Sequence, residues 1–292
     1  MTAKARSLLK YVIAFALLFL ILRHAGTEKV LSYLRQVSPL YGLAALMLAT
    51  LAQLGSALRM RYFFRASGFP ISVHYGIILF YVGAFYNFLL PGGIGGDAYK
   101  VILARKHMDM PAMQGIRIML ADRASGLCIL MLIMFAALAR DDFSAAIPHM
   151  QALLLLCAVI TLVAYVLCCR WFLKQPARVM LGSLPYSLGV QLLWVLVLAA
   201  LWAAPGTGSH LSEYIALYGA ASITGMLPFS VGGLGIKEMT YFYGAGLLMR
   251  LAHVPVDPDL GVALSLCLFA IALFTSLPGL VWLEKIGNTK TH

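Results

Sequence analysis

Two short segments of the sequence combine helix-breaking residues with charge. The first runs Leu90-Pro91-Gly92-Gly93-Ile94-Gly95-Gly96-Asp97, and the second runs Leu227-Pro228-Phe229-Ser230-Val231-Gly232-Gly233-Leu234-Gly235-Ile236-Lys237-Glu238. Proline removes a backbone donor and glycine relaxes φ, so each segment should interrupt an apolar helix. In a membrane, the freed backbone groups are tolerated only when they are buried in protein or line a wet cavity. Two such breaks in corresponding halves of a chain predict the binding site of a transporter.

Charged side chains inside apolar sequence are the other candidates for chemistry. Of the carboxylates, only Asp97, Asp122 and Glu238 are expected to lie within the membrane. A buried charge should be paired or should line a polar cavity, so two interpretations stay open: a structural ion-pair network, or a ligand site. Asp122 and Arg123, adjacent on one helix, could pair across to the segments around the breaks. The nearby cations are Lys100, Arg117, Arg123 and Lys237.

The chemistry that these residues suit best is the binding of a phosphate. Helix N-termini at the breaks would offer unpaired N–H donors and partial positive charge. Asn87, one turn before Pro91, could contact the ligand or bond to freed backbone. The predicted substrate-binding residues are Asn87, Gly92, Gly93, Gly95, Gly96, Asp97, Lys100, Arg117, Asp122, Arg123, Gly232, Gly233, Gly235, Lys237 and Glu238, with Pro91 and Pro228 as the helix breaks.

The sequence contains no recognisable catalytic or metal-binding set. The seven histidines are scattered, and there is no HExxH, GxSxG, Walker loop or acidic metal cluster. Residues 93–98 fit the GxGxxG/A pattern, but that pattern identifies a dinucleotide site only between a strand and a helix. We therefore predict no cofactor and no metal. An enzyme that uses the three carboxylates for acid–base chemistry stays as an alternative.

Composition predicts an all-α polytopic membrane protein. Hydrophobic residues make up 62% of the chain, charged residues make up 11%, and the mean hydropathy is +0.88. The apolar runs have helix length, which argues against a β-barrel. The net charge of +11 lies in short clusters between apolar segments, as expected of loops that set topology rather than of a nucleic-acid interface.

We interpret residues 1–292 as one integral membrane domain, with an uncleaved anchor helix at 8–22 and approximate halves at 40–140 and 150–283. An interfacial helix could precede residue 38. The other expected apolar segments are 40–58, 73–90, 111–138, 151–169, 186–204, 211–227, 241–251 and 260–283.

The positions of the basic residues favour a topology in which each break is the tip of a re-entrant hairpin. Six segments then cross fully, both termini are cytoplasmic, and the hairpins enter from opposite sides, as in an inverted repeat. The clusters that would face the cytoplasm are Lys4/Arg6/Lys10, Arg59/Arg61/Arg65, Lys100/Arg105/Lys106, Arg170/Lys174/Arg178 and Lys285/Lys290.

Three ordered motifs carry a family resemblance across roughly residues 5–285. They are Asn87-x-x-x-Pro91-Gly92-Gly93-Ile94-Gly95-Gly96-Asp97, Asp122-Arg123-x-x-Gly126-Leu127, and Pro228-x-x-x-Gly232-Gly233-Leu234-Gly235-x-Lys237-Glu238. Together they resemble the transmembrane region of lysylphosphatidylglycerol synthase/flippases. In that family the residue before the glutamate is more often arginine, so Lys237 departs mildly and keeps the charge. The resemblance implies translocation of a polar lipid, whereas lysyl transfer is not expected without a synthase domain.

The sequence therefore predicts that the protein moves a phosphate-bearing lipid between the leaflets of the inner membrane, with the headgroup held between the two hairpins. Its partner would be a membrane phospholipid or a similar lipid, and no nucleic acid is expected. Two rivals stay open: a membrane-bound lipid-modifying enzyme, and an accessory subunit of an envelope-glycan or lipid synthase. A homo-oligomer or an envelope-biosynthesis partner is compatible with each.

Overall fold

The computed structural model describes residues 27–89, 95–140, 144, 147–204, 209–227 and 232–286. The expected anchor helix at 8–22 lies outside these residues. The regular structure of the described residues is helical, which confirms the predicted all-α class. The helices are α1 (Thr27–Gln36), α2 (Pro39–Ala66), α3 (Val73–Leu89), α4 (Gly95–Met108), α5 (Ala112–Leu138), α6 (Met150–Trp171), α7 (Ala177–Ala203), α8 (Leu211–Thr224), α9 (Ile236–Ala252), α10 (Pro258–Ser276) and α11 (Pro278–Ile286).

Five segments are long and apolar enough to cross a bilayer: Pro39–Ala66, Ala112–Leu138, Met150–Trp171, Ala177–Ala203 and Pro258–Trp282. The chain is therefore a polytopic integral membrane protein. α3 has only 17 residues, which rise about 26 Å, somewhat less than the ~30 Å of a hydrocarbon core. That length is compatible with the predicted re-entrant segment, but the membrane crossing itself stays a prediction.

Each glycine break separates two helices that fold back on one another. In the first pair, the Gly96 amide donates to Asn87 Oδ1 over 3.0 Å, and the rings of Tyr86 and Tyr99 lie 4.1 Å apart. In the second pair, the hydroxyls of Thr224 and Thr240 lie 2.7 Å apart. We call these antiparallel pairs the first hairpin (α3 and α4) and the second hairpin (α8 and α9). Their opposite entry into a membrane stays a prediction.

Several helices differ from their expected bounds, and two of these differences involve proline. α7 begins at Ala177, nine residues before the expected start, and it contains Pro185 in its interior. Membrane helices accommodate proline when neighbouring groups satisfy the freed backbone, so Pro185 does not mark the start of this helix. The last expected span, 260–283, is two helices, because α10 ends at Ser276 and α11 begins at Pro278. Leu277 itself keeps helical backbone angles, with φ of -55° and ψ of -32°. The interruption coincides with Pro278, which has no backbone N–H to continue the helical hydrogen bonds.

α2 is central to the bundle: it contacts α3 of the first hairpin, and it also contacts α5, α7 and α10. Its buried face is made largely of small residues, which let the neighbouring backbones approach closely. The contact with α7 is the most extensive, and at one point Gly55 lies directly under the Val190 side chain. The small buried residues of α2 are Ala45, Ala49, Ala52, Ser56 and Ala57.

Gly96 allows the closest backbone contact in the first hairpin. A Cβ atom at this position would fall 1.8 Å from the carbonyl oxygen of Gly83. Gly96→Ala should therefore push α3 and α4 apart and lower the free energy of unfolding by about 1–3 kcal/mol, the usual cost of overpacking. Thermal unfolding in detergent would measure the loss.

Gly189→Ala is the matched control for this substitution. Gly189 lies inside α7 with no atom within 4 Å of the added Cβ. Its replacement should stabilise the helix by roughly 0.5–1 kcal/mol, because alanine loses less backbone entropy than glycine. Equal effects of the two substitutions would contradict the close contact at Gly96.

Candidate functional site

A cavity of about 290 Å³, lined by both polar and apolar side chains, lies between the two hairpins. The end of α3 and the turn before α9 meet at its wall, where a Cβ at Gly232 would lie 3.2 Å from the Phe88 ring. The described residues that flank the two breaks, Phe88 and Gly232, are therefore adjacent. The cavity is lined by Gln53, Ser56, Phe80, Ala84, Asn87, Phe88, Arg123, Trp194, Ser222, Gly225, Met226, Gly232, Lys237 and Ala272.

Two cations, Arg123 and Lys237, give this cavity its charge. The Lys237 side chain runs alongside the second break, because a Cβ at Gly225 or at Gly233 would lie 2.5 Å from its Cε. Glycine at both positions leaves the room that this path needs. Among the described residues, the Lys237 ammonium has no hydrogen-bond or ion-pair partner. Glu238, the next residue, supplies an opposite charge nearby, but its carboxylate accepts hydrogen bonds from Gly235 and Ser265 rather than from Lys237.

Asp97 binds two cations at once. It is 7% exposed, and its carboxylate accepts from Lys100 Nζ over 3.0 Å and from Arg123 Nε. The Lys100 ammonium also lies 4.7 Å from the centre of the Phe80 ring, in the range of a cation–π contact. Asp97 therefore joins α4 to α5, and it holds Arg123 at the cavity wall.

Asp122 makes its ion pair with a residue that the sequence interpretation assigned to a loop. Arg59 is 7% exposed, and it donates from Nε to Asp122 Oδ1 over 2.7 Å and from Nη2 to Oδ2 over 3.3 Å. Asp122 thus pairs with α2 rather than with the hairpins, and the expected placement of Arg59 in a loop cluster is wrong. The reason is that α2 continues to Ala66, about two turns beyond Arg59.

Glu238 is satisfied within the second hairpin. Its side chain is fully buried and accepts from the Gly235 amide over 2.6 Å and from Ser265 Oγ over 2.7 Å. The first contact caps the N-terminus of α9, where an acidic side chain is favourable. The second contact joins α9 to α10. Glu238 therefore fixes the start of α9, and Lys237 lies next to it on the chain.

The described glycines of the predicted site fall into two groups: three adopt backbone angles that favour glycine, and two begin a helix. Gly232, Gly233 and Gly235 have φ of 60°, 86° and 83°, a region that glycine adopts without the strain of a Cβ. Gly95 and Gly96 begin α4. Pro91, Gly92, Gly93 and Pro228 lie outside the described residues.

The remaining cation, Arg117, is half-buried on α5 and does not line the cavity. The structure thus brings Asn87, Arg123, Gly232 and Lys237 to one cavity, while Asp97, Lys100 and Glu238 support its walls.

Several cavity residues were missed by the sequence interpretation. Gln53 and Ser56 face the cavity from α2, and their polar side chains inside an apolar span were a signal that was available. Trp194 and Ser222 come from α7 and α8, and nothing in the sequence joins them to the breaks. A further buried carboxylate, Glu213, lies in the first turn of α8, where Ser212 Oγ donates to it over 2.9 Å.

Comparison with known proteins gives one family and no close relative. No curated protein matches the chain. The family model described as the lysylphosphatidylglycerol synthase TM region matches residues 7–181, more than half of the chain. The match includes the first hairpin and the Asp122-Arg123 motif but ends before the second break, so the resemblance of that last motif stays a prediction. The chain belongs to the lysylphosphatidylglycerol synthase transmembrane-region family, and its function is accordingly one that concerns membrane lipids.

Proposed function

We propose that the protein translocates a phosphate-bearing lipid between the two leaflets, with the headgroup in the cavity between the hairpins. The observation that carries the proposal is the pair of cations at that cavity, one of which, Lys237, has no hydrogen-bond or ion-pair partner among the described residues. An uncompensated cation in a low-dielectric site favours an anionic ligand. Asn87, Gln53, Ser56 and Ser222 add hydrogen-bonding groups that suit phosphate and glycerol oxygens.

An apolar groove next to the cavity suits the acyl chains. Gln53 lines the cavity, and Thr275 lines the groove. The Gln53 amide donates a hydrogen bond to Thr275 Oγ1, so this pair lies between the cavity and the groove. The groove has a volume of about 450 Å³ and lies between α2 and α10, with Leu46, Met47 and Phe274 in its wall. In the proposed mechanism the chains remain in this groove and the surrounding lipid while the headgroup crosses the polar cavity.

The hairpins supply the change of access in this mechanism. The Asp97 contacts join the first hairpin to α5, and the Glu238 contacts join the second hairpin to α10. Rocking of one hairpin against the other would keep these contacts if each hairpin shifts together with the helix to which it is joined, α5 for the first and α10 for the second. The phosphate would remain near Arg123 and Lys237 as the opening changes sides.

Leaflet movement in proteoliposomes tests the proposal. Purified protein is reconstituted with headgroup-labelled phosphatidylglycerol, and a membrane-impermeant quencher is added outside. We expect the quenched fraction to rise beyond that of protein-free vesicles, since inner-leaflet label becomes accessible. Vesicles that carry Lys237→Gln should lose most of this gain, because an uncharged side chain no longer attracts the phosphate.

The same vesicles separate the rival functions. A lipid-modifying enzyme would generate a new lipid species, visible by mass spectrometry of the extracted lipids. An accessory subunit would leave both the leaflet distribution and the lipid species unchanged. Either result with folded protein would contradict the proposed translocation.

A further inference from the structure

A second, more enclosed cavity lies next to the cavity between the hairpins, and Lys237 lines both. The volume of this inner cavity is about 170 Å³, against the ~10–15 Å³ that one water molecule requires. The residues that line both cavities are Trp194, Ser222, Lys237 and Ala272. Tyr218, Tyr241 and Ser265 line the inner cavity only. The two cavities are therefore adjacent, and we refer to them together as the chamber, with Asn87 at one end and Tyr241 at the other.

Tyr241 presents an unsatisfied hydroxyl at the end of this chamber. The residue is 1% exposed, and its hydroxyl has no hydrogen-bond partner among the described residues. A buried hydroxyl without a partner lowers stability, so a retained one indicates a ligand or a functional constraint. Tyr241 lies four residues after Lys237 on α9, which places the two side chains on the same helix face. An ammonium and a hydroxyl donor thus share one cavity.

The chamber is lined by positive charge alone. None of the described residues that line either cavity is a carboxylate. The break residues that the structure does not describe, 90–94 and 228–231, contain no acidic residue either. The nearby carboxylates Asp97, Asp122 and Glu238 are held by protein donors. A cationic group entering the chamber would therefore meet Lys237 and Arg123, of which Arg123 is already paired with Asp97, and no carboxylate in the described wall.

We propose that Lys237 and Tyr241 form a phosphate subsite, and that the chamber selects a headgroup with a net negative charge. This inference rests on the proposed lipid translocation and names its substrate class. It separates the chain from the lysylated lipid in the family description, because a lysyl headgroup adds positive charge where the chamber offers no carboxylate. The ligand is a phosphodiester or phosphomonoester that accepts hydrogen bonds from the ammonium and the tyrosine hydroxyl.

Binding of short-chain phosphatidylglycerol to the detergent-purified protein tests the subsite, with Tyr241→Phe as the variant. The substitution removes only the hydroxyl, so the melting temperature should be unchanged or higher. Affinity for phosphatidylglycerol should fall about tenfold, the usual effect of losing one hydrogen bond to a charged group. Tyr243→Phe is the matched control, because Tyr243 lies on the same helix with 58% exposure and does not line the chamber. Its affinity should equal that of the wild type.

Comparing the binding of phosphatidylglycerol and lysylphosphatidylglycerol tests the selection of negatively charged headgroups. We expect lysylphosphatidylglycerol to bind at least tenfold more weakly than phosphatidylglycerol, and Lys237→Glu to reverse this preference. Equal binding of the two lipids by the wild type would overturn the selection of negative headgroups. Wild-type affinity in Tyr241→Phe would overturn the subsite.

Two further results separate this inference from the function on which it rests. Inorganic phosphate could bind as tightly as the lipid, with an affinity that Tyr241→Phe lowers. This result would support the subsite but overturn its assignment to a lipid headgroup. Leaflet movement that is equal for phosphatidylglycerol and its lysylated form would support translocation while overturning the inference.

Discussion

Asp97→Asn should lower the free energy of unfolding by about 3–5 kcal/mol, the usual cost of removing one partner from a buried ion pair. The Asp97 carboxylate is the shared acceptor of Lys100 and Arg123, and the Lys100 side chain is only 5% exposed. Without the carboxylate, the Lys100 ammonium remains buried with no counter-charge. Titration with a denaturing detergent, followed by circular dichroism, would measure this loss.

Glu28→Gln provides the control for Asp97→Asn. Glu28 is an exposed carboxylate in the first turn of α1, and exposed charges contribute about 0–1 kcal/mol. Its neutralisation should leave the unfolding midpoint nearly unchanged. Equal effects at the two positions would show that Asp97 acts as a surface charge, which contradicts its proposed part in holding α4, α5 and Arg123 together.

The second large effect is expected at the bidentate pair of Arg59 and Asp122. Asp122→Asn should also destabilise the protein by about 3–5 kcal/mol, because it leaves the guanidinium buried without its counter-charge. Arg59 also donates from Nη1 to Ser187 Oγ over 3.2 Å, so it joins α2, α5 and α7. The single substitution should therefore loosen the centre of the bundle. The melting temperature of the purified protein is the readout.

A double substitution distinguishes charge burial from packing at this pair. Arg59→Met combined with Asp122→Leu removes both charges and keeps apolar volume, and such replacements of buried ion pairs are often neutral. We expect the double variant to be clearly more stable than Asp122→Asn alone. A loss in the double variant equal to the sum of the two single losses would instead show that the two side chains contribute independently, without coupling between their charges.

Much of the fold could be predicted because membrane helices are specified locally. The apolar segments 40–58, 111–138 and 151–169 each lie within, or nearly match, a helix of the structure. The interruptions at the two glycine breaks follow from proline and glycine alone. The interior Pro185 and the interruption at Pro278 show the limit of that reasoning, because neighbouring helices decide whether a proline ends a membrane helix.

The site was predicted less completely, because its walls come from helices that are distant in sequence. Asn87, Arg123 and Lys237 stand out in the sequence as polar or charged residues in or near apolar segments, and they do line the cavity. Trp194 and Ser222 acquire their positions only through the packing of α7 and α8. The partner of Asp122 was missed for a related reason. Arg59 stands beside Arg61 at the end of an apolar run, a pattern typical of a loop, and only the length of α2 buries it.

The most direct test of the central claim is photocrosslinking of a phosphatidylglycerol that carries a photoreactive group in its headgroup. The protein is irradiated in lipid vesicles, and the labelled peptides are identified by mass spectrometry. Label on both hairpins and α2, at or beside Asn87, Ser222 and Gln53, is the result that this account predicts. Label confined to the exposed surface of α6, around Leu155 and Ile160, would show that the headgroup does not enter the cavity and would contradict the account.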